Sequence, residues 1–181
     1  TFFVPHDPEG LVSKIGEEEF NHRLDSIFTV ARKSIFGGGK TVHAFSGLQS
    51  PYNHGNQPNL HISWLFNWSG KPWLTQKWTR LICDEFYGTG AEHGYGYGQD
   101  EDQGQLGAWY VMAAMGLFDV KGGTAENPDM QIGSPQFDRI EIALSPVNAT
   151  GEKFVIETKG NGADTYYVQS ATLNGKPYQS C

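Results

Sequence analysis

The spacing of apolar residues changes once along this chain, and that change limits the folds open to it. Up to about residue 120 they recur every three or four positions: Phe20, Leu24, Ile27, Phe28 and Ala31, then Leu74, Trp78, Leu81 and Ile82, then Leu106, Trp109, Tyr110 and Ala113. Such spacing gathers them on one face of a helix. Beyond Val120 the period falls to two. Ile140, Ile142 and Leu144 are interleaved with Glu141 and Ala143, and Phe154, Ile156 and Thr158 repeat the pattern. Alternation of this kind belongs to half-buried strands. Asn174-Gly175 is the dipeptide preferred in a two-residue hairpin turn. The expectation is a mixed α and β chain, with helical hairpins first and an antiparallel β segment after them. The boundary falls near residues 119–130, which divides the chain into 1–120 and 121–181.

Punctuation refines this. Asp7-Pro8-Glu9 reads as an N-cap followed by a proline at the first helical position. Gly37-Gly38-Gly39 ends the helix carrying Phe20 to Ala31, and residues 40–57 read as loop. Pro58 is expected to open a helix with His61, Trp64, Leu65 and Trp68 on one face. Ser69-Gly70-Lys71-Pro72 supplies a stop glycine and a start proline. A glycine-rich loop over 88–99 precedes a helix at about 102–116, and Tyr166 to Leu173 reads as a strand. Helix pairs joined by alternating short and long loops suggest an α/α-hairpin array. Four or so helices form part of a larger toroid but do not close one. The chain opens on Thr1 without an initiator Met and stops just past a hairpin, so we expect a piece of a longer protein.

Composition removes some function classes. The net charge is −7 and no basic stripe is present, which leaves nothing to neutralise phosphates, so no nucleic-acid partner is expected. No apolar run approaches the roughly 18 residues of a membrane-spanning helix. The two cysteines, Cys83 and Cys181, make neither a disulfide framework nor a zinc site. Aromatic residues reach 13%, five of them Trp. That richness suits stacking on sugars and equally suits aromatic cores. Asn67-Trp68-Ser69 and Asn148-Ala149-Thr150 match the glycosylation acceptor pattern.

Two segments carry chemistry. Asp100-Glu101-Asp102 stands between the glycine-rich loop and a helix start. Adjacent carboxylates repel and resist burial, so they suit a solvated helix start, a cation, or acid/base work. Asp100 and Asp102 resemble the first two ligands of a twelve-residue calcium loop, but Val111 stands where its final acid belongs. His54-Gly55-Asn56-Gln57-Pro58 places polar groups before a helix N-terminus, where an anionic or hydroxyl-rich ligand is favoured. Its plainer reading is that Asn56 or Gln57 only caps that helix. His61, on a face with Trp64 and Trp68, reads as a satisfied core histidine. His43, His54 and His93 fall in loops, lining a cleft or solvated.

Taken together, several segments resemble glycoside hydrolase family 92. These are Val4-Pro5-His6-Asp7, His54 to Pro58, Trp73-Leu74-Thr75-Gln76-Lys77, Gly98 to Trp109, Gln131 to Asp138, and Gln169 to Pro177. The resemblance implies a calcium-dependent, inverting, exo-acting α-mannosidase that processes mannose-containing glycans, N-glycans among them. It implies a parent protein of several hundred residues, with an N-terminal β-sandwich, an (α/α)6 barrel and terminal strands, of which this chain supplies the last helices and the strands after them. Asp102 matches the general base, with Asp100 beside it. His54, Asn56 and Glu101 are implied as sugar contacts, and Asn56 and Gln57 as calcium ligands, Gln57 replacing the family's Glu with loss of one charge. The general acid is implied upstream of this chain, so the chain alone is expected to be inactive. Secretion or a periplasmic location is implied as well. The alternatives are a non-catalytic carbohydrate-binding or structural remnant, or a mannosyl phosphodiester hydrolase.

Overall fold

The computed structural model describes residues 2–39, 50–93, 103–147 and 149–178. Helix α1 spans Pro8–Ile15, and its start is set by local sequence: the Asp7 carboxylate accepts from the Gly10 amide at 2.9 Å and Pro8 occupies the first turn. Gly16, at φ +89°, turns the chain into α2, Glu17–Arg32. Phe20, Leu24, Phe28 and Ala31 recur at spacings of four, four and three, and all four are fully buried. A 3₁₀ turn at Ile35–Gly37 comes next. Ile35 and Phe36 both take positive φ there, a strained conformation for large side chains. Phe36 is fully buried, so packing offsets that strain. At Gly37 a Cβ would stand 2.5 Å from the Asn53 side-chain oxygen, which requires glycine at this crossing.

The helix expected after Pro58 is instead two 3₁₀ segments, Gln57–Asn59 and Ile62–Trp68. Ile62, Ser63, Trp64, Leu65 and Phe66 are buried consecutively, against both α1 and α3 (Pro72–Glu85). Five consecutive buried residues leave no continuous polar face to keep, and packing overrides the period read from sequence. Helix α3 begins where Gly70 (φ +69°) and Pro72 predict. Helix α4 spans Gln105–Ala114, and Gly116 at φ +74° turns the chain beyond it.

The strands form three antiparallel pairs: β1 (Leu117–Phe118) with β2 (Gln131–Ile132), β3 (Arg139–Ala143) with β4 (Lys153–Glu157), and β5 (Ala171–Leu173) with β6 (Lys176–Tyr178). In the β3–β4 register Ile140 faces Ile156 and Ile142 faces Phe154, so one face is apolar. Asn174 and Gly175, at φ +51° and +76°, make the expected hairpin turn. The strand expected over Tyr166 to Leu173 shortens to Ala171–Leu173. The Val168 amide bonds the Gln76 side-chain oxygen at 2.9 Å rather than a neighbouring strand.

Buried Trp64, Trp78 and Trp109, with Phe20, Phe28, Phe36, Phe66 and Phe86, fill the core between the helices. These three Trp rings are therefore core, not sugar-stacking surfaces. Arg80 ties α3 to the strand region: its guanidinium donates to the Pro135 carbonyl (2.6 Å), the Asn161 side chain (2.9 Å) and the Gly162 carbonyl (3.3 Å). Cys83 is buried, which pushes its thiol up and leaves it inert. The Asn67 side-chain amide donates inward, to the Gln131 side chain and the Ile132 carbonyl. Ser69 is buried against Asn21. That site is closed to glycosylation in this fold; Asn148 lies outside the described residues.

Candidate functional site

Of the two chemistry-bearing segments, one is described. Asp100, Glu101, Asp102 and His43 lie outside the described residues. Their segment resumes at Gln103, whose φ is +65°, and Gly104 at φ +86° leads into α4.

The loop from Ser50 to Leu60 is held from several directions. The His54 amide donates to the Phe36 carbonyl at 2.8 Å. The Asn53 side-chain oxygen accepts from the Gly55 amide (3.0 Å), and the Asn53 carbonyl accepts from the Asn59 side chain (2.9 Å). Trp109 of α4 donates its indole N–H to the Leu60 carbonyl at 2.8 Å. Between these ties Asn56 is exposed and Gln57 half-buried. Asn56 stands at the cap position of the 3₁₀ turn but makes no side-chain cap bond, and no hydrogen bond of the Gln57 side chain occurs among the described residues. The capping reading of Asn56 is thereby corrected: its side chain is exposed, and that of Gln57 is half-buried.

His54 differs from them. It is fully buried, with Nδ1 2.7 Å from the Tyr52 hydroxyl and Nε2 2.8 Å from the Tyr87 hydroxyl. Phe86 and Trp109 pack edge-on against its ring, at centroid separations of 4.8 and 4.2 Å. Burial lowers its pKa to about 3, so the ring is neutral. A sugar contact needs a reachable polar atom; in this arrangement His54 offers none, and it serves as an internal brace. His61 is buried and bonded to the Phe2 carbonyl (3.2 Å), the satisfied core histidine expected. His93 sits in a short 3₁₀ turn beside Glu92. The tyrosine partners of His54 escaped the sequence reading. Tyr52 stands two residues away, a visible signal, whereas Tyr87 reaches it only through the fold.

Calcium takes six to eight hard oxygen ligands. Asn56 and Gln57 offer amide oxygens, right in kind and too few in number. Among the described residues no group of three His, Cys, Asp or Glu gathers to hold a metal. The donor set fits calcium only with further ligands from beyond these residues. Burial raises the pKa of the Asp84 carboxyl, opposed by the Arg80 charge. It accepts from Gln136 at 2.7 Å and serves the α3 contact with the strand region. The surface hollows at Gly16–His22 and around Leu144 to Gly151 take in none of the candidate residues.

The profile of the glycosyl hydrolase family 92 catalytic domain matches residues 1–181. An uncharacterized secreted glycosidase of Arthroderma benhamiae is 29% identical over 184 residues, covering 98% of this chain and 20% of that protein. The family 92 alpha-mannosidase BT3965 of Bacteroides thetaiotaomicron, solved with mannoimidazole, superposes with a TM-score of 0.77 at 29% identity, over 98% of this chain and 22% of that one. The family 92 glycosyl hydrolase ccman5 superposes at TM-score 0.67 and 25% identity, over 98% of this chain and 25% of that one. The chain thus spans about a fifth of the length of the curated relative it matches. Its mixture of helices and short antiparallel strands is similar to the alpha-mannosidase structure, consistent with part of an α/α barrel followed by a β segment.

Proposed function

This chain belongs to glycosyl hydrolase family 92, and from that membership we propose that it forms part of an enzyme removing terminal α-linked mannose from glycans with inversion. The observation that carries the reading is the family match along the whole chain, joined to likeness with a solved alpha-mannosidase at 29% identity. In it residues 1–120 complete one side of an (α/α)6 barrel, 121–181 form the strand region, and the rest of the parent polypeptide supplies the remainder.

Inversion requires two carboxyl groups about 6.5–9.5 Å apart, one protonating the leaving oxygen and one taking a proton from the attacking water. Asp102 is assigned the second role, with Asp100 and Glu101 keeping the local potential negative and Glu101 reaching the sugar. The acid comes from another part of the parent. Calcium, when bound, supplies a hard cation for vicinal sugar hydroxyls. Asn56 and Gln57 would hold it from this chain, with the remaining ligands from elsewhere. In this reading Asn56 also donates to a sugar hydroxyl, while buried His54 braces the loop that carries it. Secretion is part of the proposal. It is supported by the relative described as secreted.

The test is to follow the full-length protein on an α-linked mannobiose by proton NMR. Release of β-mannose as the first-formed sugar supports an inverting hydrolase. First-formed α-mannose would overturn inversion. Binding of the disaccharide without turnover would instead favour a carbohydrate-binding role, and cleavage confined to a mannosyl phosphodiester would move the substrate class.

A further inference from the structure

We infer that His54 is a positioning residue, a ring clamped between two tyrosines that fixes the Asn56–Gln57 loop against the first turn of α4. The proton count along the clamp supports this. Tyr87 has one hydroxyl proton, donated to the Leu106 carbonyl at 2.9 Å. The Tyr87 oxygen therefore accepts from His54 Nε2–H. His54 then holds a lone pair on Nδ1, which accepts the Tyr52 hydroxyl proton at 2.7 Å. This tautomer meets all three links of the clamp.

The three links span the places that matter. Tyr52 and His54 lie on the loop, Tyr87 lies just past α3, and Leu106 lies in the first turn of α4. All four residues are buried. A second tie, Trp109 to the Leu60 carbonyl, joins the same loop and helix on the far side of Gln57 in sequence. The loop is thus pinned to α4 on both sides of Asn56 and Gln57. In sequence Asp102 stands three positions before α4 begins. The catalytic meaning of the clamp rests on the hydrolase reading; the clamp itself does not.

Hydrogen exchange of the full-length protein tests it, read at residues 55–60 and 103–110 in three variants. Tyr87→Phe keeps the ring that stacks on Trp109 at 6.0 Å and removes the hydroxyl. His54→Phe fills the space and cuts both links. His54→Gln keeps one donor and one acceptor. Tyr87→Phe and His54→Phe are expected to speed exchange about tenfold in both segments together, the scale of one buried hydrogen bond, with His54→Gln closer to wild type. On an α-mannoside, kcat/KM is expected to fall in Tyr87→Phe and His54→Phe and to recover in part in His54→Gln. Should His54→Phe fail to fold, Tyr87→Phe carries the test alone. Faster exchange in one segment only, or no rescue by glutamine, would overturn the clamp. A wild-type protein without mannosidase activity would sink the hydrolase reading while the exchange pattern still decides the clamp.

Discussion

A histidine sealed between tyrosines resists protonation until the fold opens, and this gives stability a pH dependence. Burial lowers the folded pKa of His54 from 6.5 to about 3 and lowers His61 in the same direction. The unfolded chain therefore binds a proton below about pH 6.5 that the folded chain refuses. Stability from His54 is complete above that value and declines as pH falls toward 3, by at most about 1.4 kcal/mol per pH unit. Urea midpoints measured from pH 7 to 4 should fall less steeply in His54→Gln than in wild type; parallel curves would assign the slope to other groups. In the full-length enzyme Asp102→Asn is expected to lower kcat about 10²–10⁴-fold, the usual worth of a general base, and Asp100→Asn much less. Steady-state kinetics on both decides the assignment, and a larger loss at Asp100 would reverse the pair. Gln57→Glu adds a full charge to a hard-cation site and should tighten calcium in isothermal titration. An unchanged dissociation constant removes Gln57 from the metal.

At the scale of elements, glycines separate two kinds of cost. Gly116 has φ +74° and an added Cβ would lie 2.8 Å from the Pro135 backbone nitrogen, whereas Gly122 has φ +62° and open space. Gly122→Ala should cost about 1 kcal/mol for backbone strain alone, and Gly116→Ala clearly more. Equal shifts in thermal midpoint would mean that the Pro135 contact yields freely. Elements fixed by local chemistry were legible in the sequence: Asp7-Pro8 starting α1, Gly70 and Pro72 framing α3, Asn174-Gly175 turning β5 into β6. Elements decided by partners far along the chain were not. Ile62–Trp68 has apolar residues at helical spacing, yet enclosure by α1 and α3 draws it into a 3₁₀ helix. Val168 gives its amide to Gln76, 92 residues away, and leaves the strand pattern. The candidate loop shows both sides. Asn56 and Gln57 were readable as polar groups before a turn, while the enclosure of His54 depends on Tyr87, which only the fold brings near.

A buried cation strengthens the join across the change of period, beside the bonds of Asn67 and Gln76 to the strand region. Helix α3 carries Arg80, which is 5% exposed, and its guanidinium holds the carbonyls of Pro135 and Gly162 together with Asn161. Asn161 in turn donates to the Gln136 carbonyl at 2.9 Å, and Gln136 reaches back to Asp84 on α3. This ring of bonds closes on α3 from both ends, so the loops around 135 and 160 are held by one side chain more than by strand pairing. The paired strands are two to five residues long, and isolated two-stranded hairpins are marginal in water. Removing the cation should therefore release the strand region before it unfolds the helices. Arg80→Met preserves the apolar stem, leaves the carbonyls without their charged donor, and is expected to cost about 3 kcal/mol. Limited trypsin digestion of the full-length protein should then cut faster at Arg139, Lys153 and Lys159, while cleavage at Arg23 and Lys77 keeps its wild-type rate. Uniform acceleration at all five sites would show instead that Arg80 supports the whole fold, and unchanged digestion would show that the strands are held by contacts other than this clamp.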